Sequence, residues 1–304
     1  MSKPAPLFFS EARIEELLHL DELFPALENA LIDFSAGRVI QPLRSIVPIA
    51  KPGSFFGLMP AVLDDVFGAK LVTVFPGNAE RGLHTHLAVI HLFSSETGET
   101  LAIMDGRIIT AWRTAAVSAL ATRELSPPDA SVLAILGSGV QARTHFQALS
   151  RMRSFREVRV WSRTPAHARK FAEEIGAKPM TAEEAARGAD VIVTATNASE
   201  PILRAEWVKA GAYVNAVGAV GPRARELDDD LMQRAIVIVE SRESAGVESA
   251  EIIRSGVPIY AELGDLLAGR ARKPEAGSTV VFKSLGIAVE DVAAARLVYR
   301  SLVP

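Results

Sequence analysis

The segment LGSGVQAR carries the plainest chemical signal in the chain, because Gly137, Gly139 and Ala142 give the spacing G-x-G-x-x-A. SVLAIL before it reads as a strand and VQARTHFQALSRM after it as a helix, the context that makes this spacing informative. Gly137 permits a tight turn, Gly139 lets backbone approach a pyrophosphate, and Ala142 lets the helix lie close to the strand. A helix start adds free N–H groups and the positive end of a dipole. Gly137, Ser138, Gly139, Val140 and Gln141 are therefore candidate phosphate-binding residues. An NAD site places an acid at the end of the next strand. Here that strand ends VWSRT, with Ser162, Arg163 and Thr164 in its place. An arginine with two hydroxyls suits a 2′-phosphate, which an acid would repel. NADP(H) is the expected cofactor and NAD(H) the alternative.

Three cations stand in apolar surroundings: Arg44 in QPLRSIVP, Lys70 at the head of KLVTVF and Arg113 in AWRTAA. A lone cation in a strand or first helical turn is ordinarily a surface residue. Arg113 has more to offer, since near a helix start its fork and the free N–H groups can hold one carboxylate together. His84 and His86 are two apart and share a strand face, with His91 on the other. No third ligand stands at metal-binding spacing, so no metal is expected. No G-x-S-x-G elbow is present.

The elements that must position these groups fall into two sets. From Ser10 to Gly37 the apolar spacing predicts a helix with Ser10 as N-cap. LRSIVPIA, SFFGLMPAV, KLVTVF, HLAVIHLF and TLAIMDG then read as successive strands, which implies an antiparallel sheet. A helix over 110–125, with Thr110 as N-cap, ends at SPPD. Beyond it strands and helices alternate: SVLAIL, VQARTHFQALSRM, EVRVWS, PAHARKFAEEIG, DVIVTAT, AYVNAV, LDDDLMQRA and IVIVES. That is an α/β, Rossmann-type doubly wound parallel sheet beside a mixed α+β domain. The expected boundaries are 1–115 and 116–286, with the final helix over 287–304 returning to the first domain. At 304 residues and net charge −3, neither nucleic acid nor anionic lipid is an expected partner. No apolar run is long enough to span a membrane, and the N-terminal apolar run is too short for a signal peptide. The chain has no cysteine, which excludes disulfides and agrees with a cytoplasmic location.

The chain resembles the ornithine cyclodeaminase/mu-crystallin family over nearly its whole length. KLVTVF, GLHTHLAVIHLF, LAIMDGRIITAWRTAAVSALAT, LGSGVQAR, VWSRTPAHARKFAEE, GADVIVTATNASEPIL, GAYVNAVGAVGPRARELDDDLM and TVVFKSLGIAVED carry the resemblance. RELDDDLM and TVVFKSLGIAVED look closest to the mu-crystallin branch, whose members act as ketimine reductases and bind thyroid hormone. The resemblance implies a homodimer whose N-terminal domain holds both the dimer interface and the substrate pocket. It assigns Arg44 and Arg113 to the substrate carboxylate, Lys70 to the reacting centre and Thr85 to the same pocket. It sets Thr114 near the nicotinamide, and Thr196 and Val217 complete the cofactor-binding set.

Cyclodeaminases of this family use an aspartate in the loop after NAVG, and that position here is Val220. A valine transfers no proton, and mu-crystallins lack the acid too. The resemblance therefore implies NADPH-dependent reduction of cyclic ketimines bearing a 2-carboxylate, with Val220 against the apolar edge of the ring. Three alternatives stay open: ornithine cyclodeamination with NAD, reduction of acyclic imines or amino-acid dehydrogenation, and NADPH-dependent binding of a hydrophobic carboxylate such as thyroid hormone.

Overall fold

The computed structural model describes residues 5–302, so positions 1–4 of the expected first domain and 303–304 of the expected final helix lie outside the described residues. The chain divides into two compact units, 1–113 with 287–304, and 114–286.

Unit 1 is built on a six-stranded sheet. Its strands are β1 (Leu7–Phe9), β2 (Ser45–Pro48), β3 (Phe55–Leu63), β4 (Val66–Val74), β5 (His86–Ser94) and β6 (Thr100–Asp105), in spatial order β1-β6-β5-β4-β3-β2. β2 to β6 pair antiparallel, as the run of strands predicts. The short β1, absent from the sequence reading, adds in parallel to β6. The expected first helix is two helices, Glu11–Leu17 and Leu20–Ser35. The break at Leu18–His19 lets each bury its own apolar side, Ile14 in one and Leu23, Leu27 and Leu31 in the other. Ser10 caps the first through the Arg13 N–H, and Gly37 (φ 71°) follows the end of the second.

One face of this sheet is covered. Helix Ala288–Arg300 lies against β3, β4, β5 and β6 and against helix Leu20–Ser35. Strand residues two apart share a face, and Met59, Ala61, Leu63, Lys70, Ile90, Leu92 and Met104 are buried on this one. The other face carries apolar side chains that stay accessible, including Leu58, Leu87 and Val89. Phe67 and Phe93 stack there at 4.9 Å.

Unit 2 holds eight parallel strands: β7 (Val132–Leu136), β8 (Glu157–Trp161), β9 (Lys178–Pro179), β10 (Val191–Thr194), β11 (Tyr213–Ala216), β12 (Ile236–Val239), β13 (Ile259–Glu262) and β14 (Val280–Lys283). Their order is β13-β12-β14-β11-β10-β7-β8-β9. The order reverses between β7 and β10, the switch point where such sheets take ligands at their carboxyl ends. β7, β10, β11 and β14 are buried throughout; β7 reads as an unbroken apolar run, while Thr194, Asn215 and Lys283 are the buried polar residues of the other three. The expected helices after β7 and β8 form over Val140–Met152 and Pro165–Ile175. A buried polar chain stitches this unit: Tyr213 donates to Asn215 Oδ1 (2.8 Å), Asn215 Nδ2 to Thr122 Oγ1 (3.0 Å), and Thr122 Oγ1 to Ser118 O (2.7 Å).

Helix Gly106–Leu125 runs through the boundary at Arg113. It begins four residues before the expected Thr110, because Asp105 Oδ1 accepts the Arg107 N–H at 2.8 Å. Arg113 is thus beyond the first turn, and the free N–H groups of a helix start are not at its side.

Candidate functional site

In unit 1, β4 starts four residues before the expected KLVTVF. Lys70 is therefore mid-strand, paired with Met59 on β3 and Ile90 on β5, and only 2% exposed. A buried ammonium needs a counter-charge. Asp291, in the first turn of the C-terminal helix, supplies it: Oδ2 is 2.6 Å from Lys70 Nζ. The other oxygen, Oδ1, accepts from Arg113 Nε at 3.0 Å, and Glu290 Oε2 accepts from Arg113 Nη1 at 2.5 Å. Both acids are fully buried and Arg113 is 4% exposed.

Burial, then the Arg113 charge, pushes Lys70 down to about 8; Asp291 opposes them and Arg44 adds to the lowering. Arg44 just precedes β2, with Nη1 3.9 Å from Met59 Sδ. His86, at the head of β5, is held below its usual value by lost hydration and then by the Lys70 charge. Thr85 Oγ1 is 3.3 Å from His86 Nδ1. The structure thus brings Arg44 and Arg113 each within reach of the Lys70 charge, with Thr85 beside His86, which also feels Lys70. His84 lies in the loop before β5, so it does not share a strand face with His86.

The acids Glu290 and Asp291 were not assigned by sequence reasoning. They stand at the end of TVVFKSLGIAVED, and two acids among apolar residues were the available signal.

In unit 2, the loop after β7 has the shape its spacing predicts. Gly137 has φ 143°, and a Cβ there would lie 2.4 Å from Ala195 O, so only glycine is accommodated. Gly139 caps helix Val140–Met152, and a Cβ on it would meet nothing within 4 Å. Space is thus open beside Gly139 at the helix start, and Ala142 is fully buried. This cradle fits a pyrophosphate. Val140 is exposed, and Gln141 is the second residue of the helix. Ser138 Oγ donates to Ser162 Oγ at 2.8 Å, tying the loop to the end of β8. Arg163 and Thr164 follow, both exposed.

Thr114 and Val217 are buried. Thr196 and Gly218 lie just past β10 and β11, and both are held by Glu226. That carboxylate accepts from Thr196 N and Oγ1 (both 2.7 Å), Gly218 N (2.7 Å) and Thr194 Oγ1 (2.8 Å). Lys283 Nζ donates to Ala219 O at 2.6 Å and lies 3.6 Å from Glu251 Oε2. NAVGAVGPRAREL is thus braced from below at Gly218 and Ala219, while Val220 at its tip is 44% exposed. Glu226 also escaped the sequence reading; AREL, an acid beside an apolar residue, was its only trace.

A Rossmann-type dinucleotide-binding unit and a unit with a buried cationic cluster define the class of this protein. The chain belongs to the ornithine cyclodeaminase/mu-crystallin family, matched over residues 5–303. It is 48% identical over 308 residues to the ketimine reductase mu-crystallin of Mus musculus, covering 98% of each chain. Among solved structures it is similar to Thermococcus litoralis Δ1-pyrroline-2-carboxylate reductase in complex with NADH and L-proline (TM-score 0.93, 34% identity, 98% and 97% of the two chains). It is also similar to an archaeal alanine dehydrogenase dimer with bound NAD (TM-score 0.92, 32% identity, 98% and 96%).

Proposed function

We propose that this protein reduces the C=N bond of cyclic ketimines bearing a 2-carboxylate, Δ1-piperideine-2-carboxylate and Δ1-pyrroline-2-carboxylate, to the cyclic amino acids. The observation that carries the reading is the buried Lys70, held by Asp291 and flanked by Arg113 and Arg44, in a chain 48% identical to a ketimine reductase.

A protonated imine accepts hydride far more readily than a neutral one. Arg44 and Arg113 hold the carboxylate, which fixes the ring. Lys70 Nζ gives its proton to the imine nitrogen as C2 gains hydride, and Lys70 recovers a proton from water. Thr85 orients the ring. Bound NADPH supplies the hydride. The Gly137–Gly139 turn and the Val140 helix start hold its pyrophosphate, with Gln141, Thr114, Thr196 and Val217 as the further cofactor contacts. Ser138 fixes Ser162, which with Arg163 and Thr164 receives the 2′-phosphate; this supports NADP(H) over NAD(H). Val220 offers no proton-transfer group, and that favours reduction over cyclodeamination.

The open apolar face of the first sheet supports a homodimer. Phe8 (74% exposed), Val47, Leu58, Leu87 and Val89 make a patch of the kind that pairs with another surface. A second copy is the occupant assigned to it, in keeping with the dimeric alanine dehydrogenase relative. The cysteine-free chain supports a cytoplasmic location. No helix among the described residues is long and apolar enough to cross a membrane.

Steady-state NADPH oxidation with each imine at mildly acidic pH tests the reading. Turnover supports it; no rate above background with either imine rejects the substrate class. Proline formation from ornithine with no added cofactor would instead establish cyclodeamination.

A further inference from the structure

Two adjacent acids enter the cationic cluster, and they are not equivalent. Glu290 and Asp291 are both fully buried and both bind Arg113. Only Asp291 also reaches Lys70, using its second oxygen at 2.6 Å. One short carboxylate thereby ties a residue of β4 to a residue of helix Gly106–Leu125, two cations 2.6 and 3.0 Å from it.

We infer that Asp291 is a positioning residue: it fixes the Lys70 ammonium against Arg113 and keeps the reacting proton on Lys70, whereas Glu290 is placed to hold Arg113. This rests on the reductase reading above and names what governs its proton.

The physical case is a balance of charges around Nζ. Lys70 faces Arg113 from helix Gly106–Leu125, Arg44 from the segment before β2, His86 from β5, and Asp291 with Glu290 from the C-terminal helix. Burial, Arg113 and Arg44 all favour the neutral amine; Asp291 favours the ammonium by charge and by hydrogen bond. His86 is held below its usual value, so it adds less positive charge than an unburied histidine would. The result is an ammonium that lets go of its proton near pH 8 rather than 10.5. Without Asp291 the same ammonium would stand among arginines, and its proton would leave at lower pH. A neutral Lys70 has no proton to give the imine.

The test is a ¹³C NMR titration of the lysine side chains, with the Lys70 signal assigned by its loss in Lys70→Met. Wild type, Asp291→Asn, Asp291→Glu and Glu290→Gln are compared, and the alkaline limb of kcat with Δ1-piperideine-2-carboxylate is recorded beside each. Asp291→Asn is expected to lower the Lys70 midpoint by about one pH unit or more, with the alkaline limb moving in step. Glu290→Gln and Asp291→Glu are expected to move it by less than roughly half a unit. A midpoint unchanged in Asp291→Asn, or one that drops as far in Glu290→Gln, overturns the inference. Should Asp291→Asn not fold, Asp291→Ser takes its place, with the same drop expected and an unchanged midpoint overturning the inference. The midpoint is read without turnover, so an inactive wild type with a shifted midpoint rejects the reductase reading and upholds the Asp291–Lys70 coupling.

Discussion

Each unit buries an ionic cluster, and the two are satisfied in opposite ways. In unit 2, Glu226 receives donors from two backbone amides and two hydroxyls, and Lys283 gives a hydrogen bond to the Ala219 carbonyl. These partners are fixed by strand ends, so the cluster is a brace that sets the loops after β10 and β11. Its glycine is part of the fit, since a Cβ on Gly218 would lie 2.1 Å from Thr196 O. In unit 1, Lys70, Arg113, Glu290 and Asp291 bind chiefly each other. There the charges are side chains, the lysine is pushed down to about 8, and a proton sits within reach of ordinary pH. Burial raises Glu226, while the Lys283 charge and the hydrogen-bond donors lower it. The clusters therefore differ in how many of the holding groups are backbone: two amides help fix a shape in unit 2, whereas Lys70 is held by a side-chain carboxylate.

The comparison breaks if the two clusters respond alike. Lys70→Ala should have the largest effect, lowering imine turnover by about 10²- to 10⁴-fold while a planar carboxylate such as pyrrole-2-carboxylate still binds. Calorimetry and initial rates on one preparation check both halves, and equal loss of binding would make Lys70 an anchor rather than a proton source. Glu226→Gln should do the reverse: a loss of about 3–5 kcal/mol in urea unfolding, with the alkaline limb unmoved. A shifted limb with stability intact would exchange the roles of the clusters.

A third expectation concerns His145 in unit 2. Its Nδ1 donates to Gln141 O at 2.7 Å and its Nε2 accepts from Ser118 Oγ at 2.9 Å, so the neutral ring is satisfied. Burial pushes it down to about 4 from an ordinary 6.5. Between those values the unfolded chain binds the extra proton, so stability falls as pH falls from 6.5 towards 4, by about 3 kcal/mol at most. Denaturation of wild type and His145→Gln across that range measures it; parallel curves would remove His145 from the account. The smallest effect is reserved for the cofactor. Ser162→Asp should weaken NADPH relative to NADH by roughly tenfold, about one charge's worth of repulsion at a partly exposed site. Quenching of protein fluorescence gives both constants, and an unchanged ratio would sever VWSRT from cofactor choice.

The nucleotide cradle was legible because it is local. LGSGVQAR contains the turn, the approach and the helix start within eight residues, and the helix ends as predicted at Met152. The cationic cluster was legible only in its cations. Arg113 and Asp291 are 178 residues apart, and no periodicity joins them. Arg113 reads as close to a helix start because Thr110 suits an N-cap. The Asp105 side chain instead accepts the Arg107 N–H and starts the helix at Gly106. Lys70 reads as the head of KLVTVF, but β4 begins at Val66. A Cβ on Gly68 would lie 2.5 Å from His91 O, so that glycine marks close strand packing and the strand runs through it.

The central claim is that the unit 1 cluster lends a proton to an imine while the unit 2 cradle holds its reductant. The most direct test follows NADPH loss and cyclic amino acid formation together, with Δ1-piperideine-2-carboxylate, across pH 6 to pH 9. The account predicts one amino acid formed per NADPH consumed, with the rate falling as pH rises through about 8, where Lys70 loses its proton. NADPH consumed without amino acid, or a rate that climbs through that range, would contradict it.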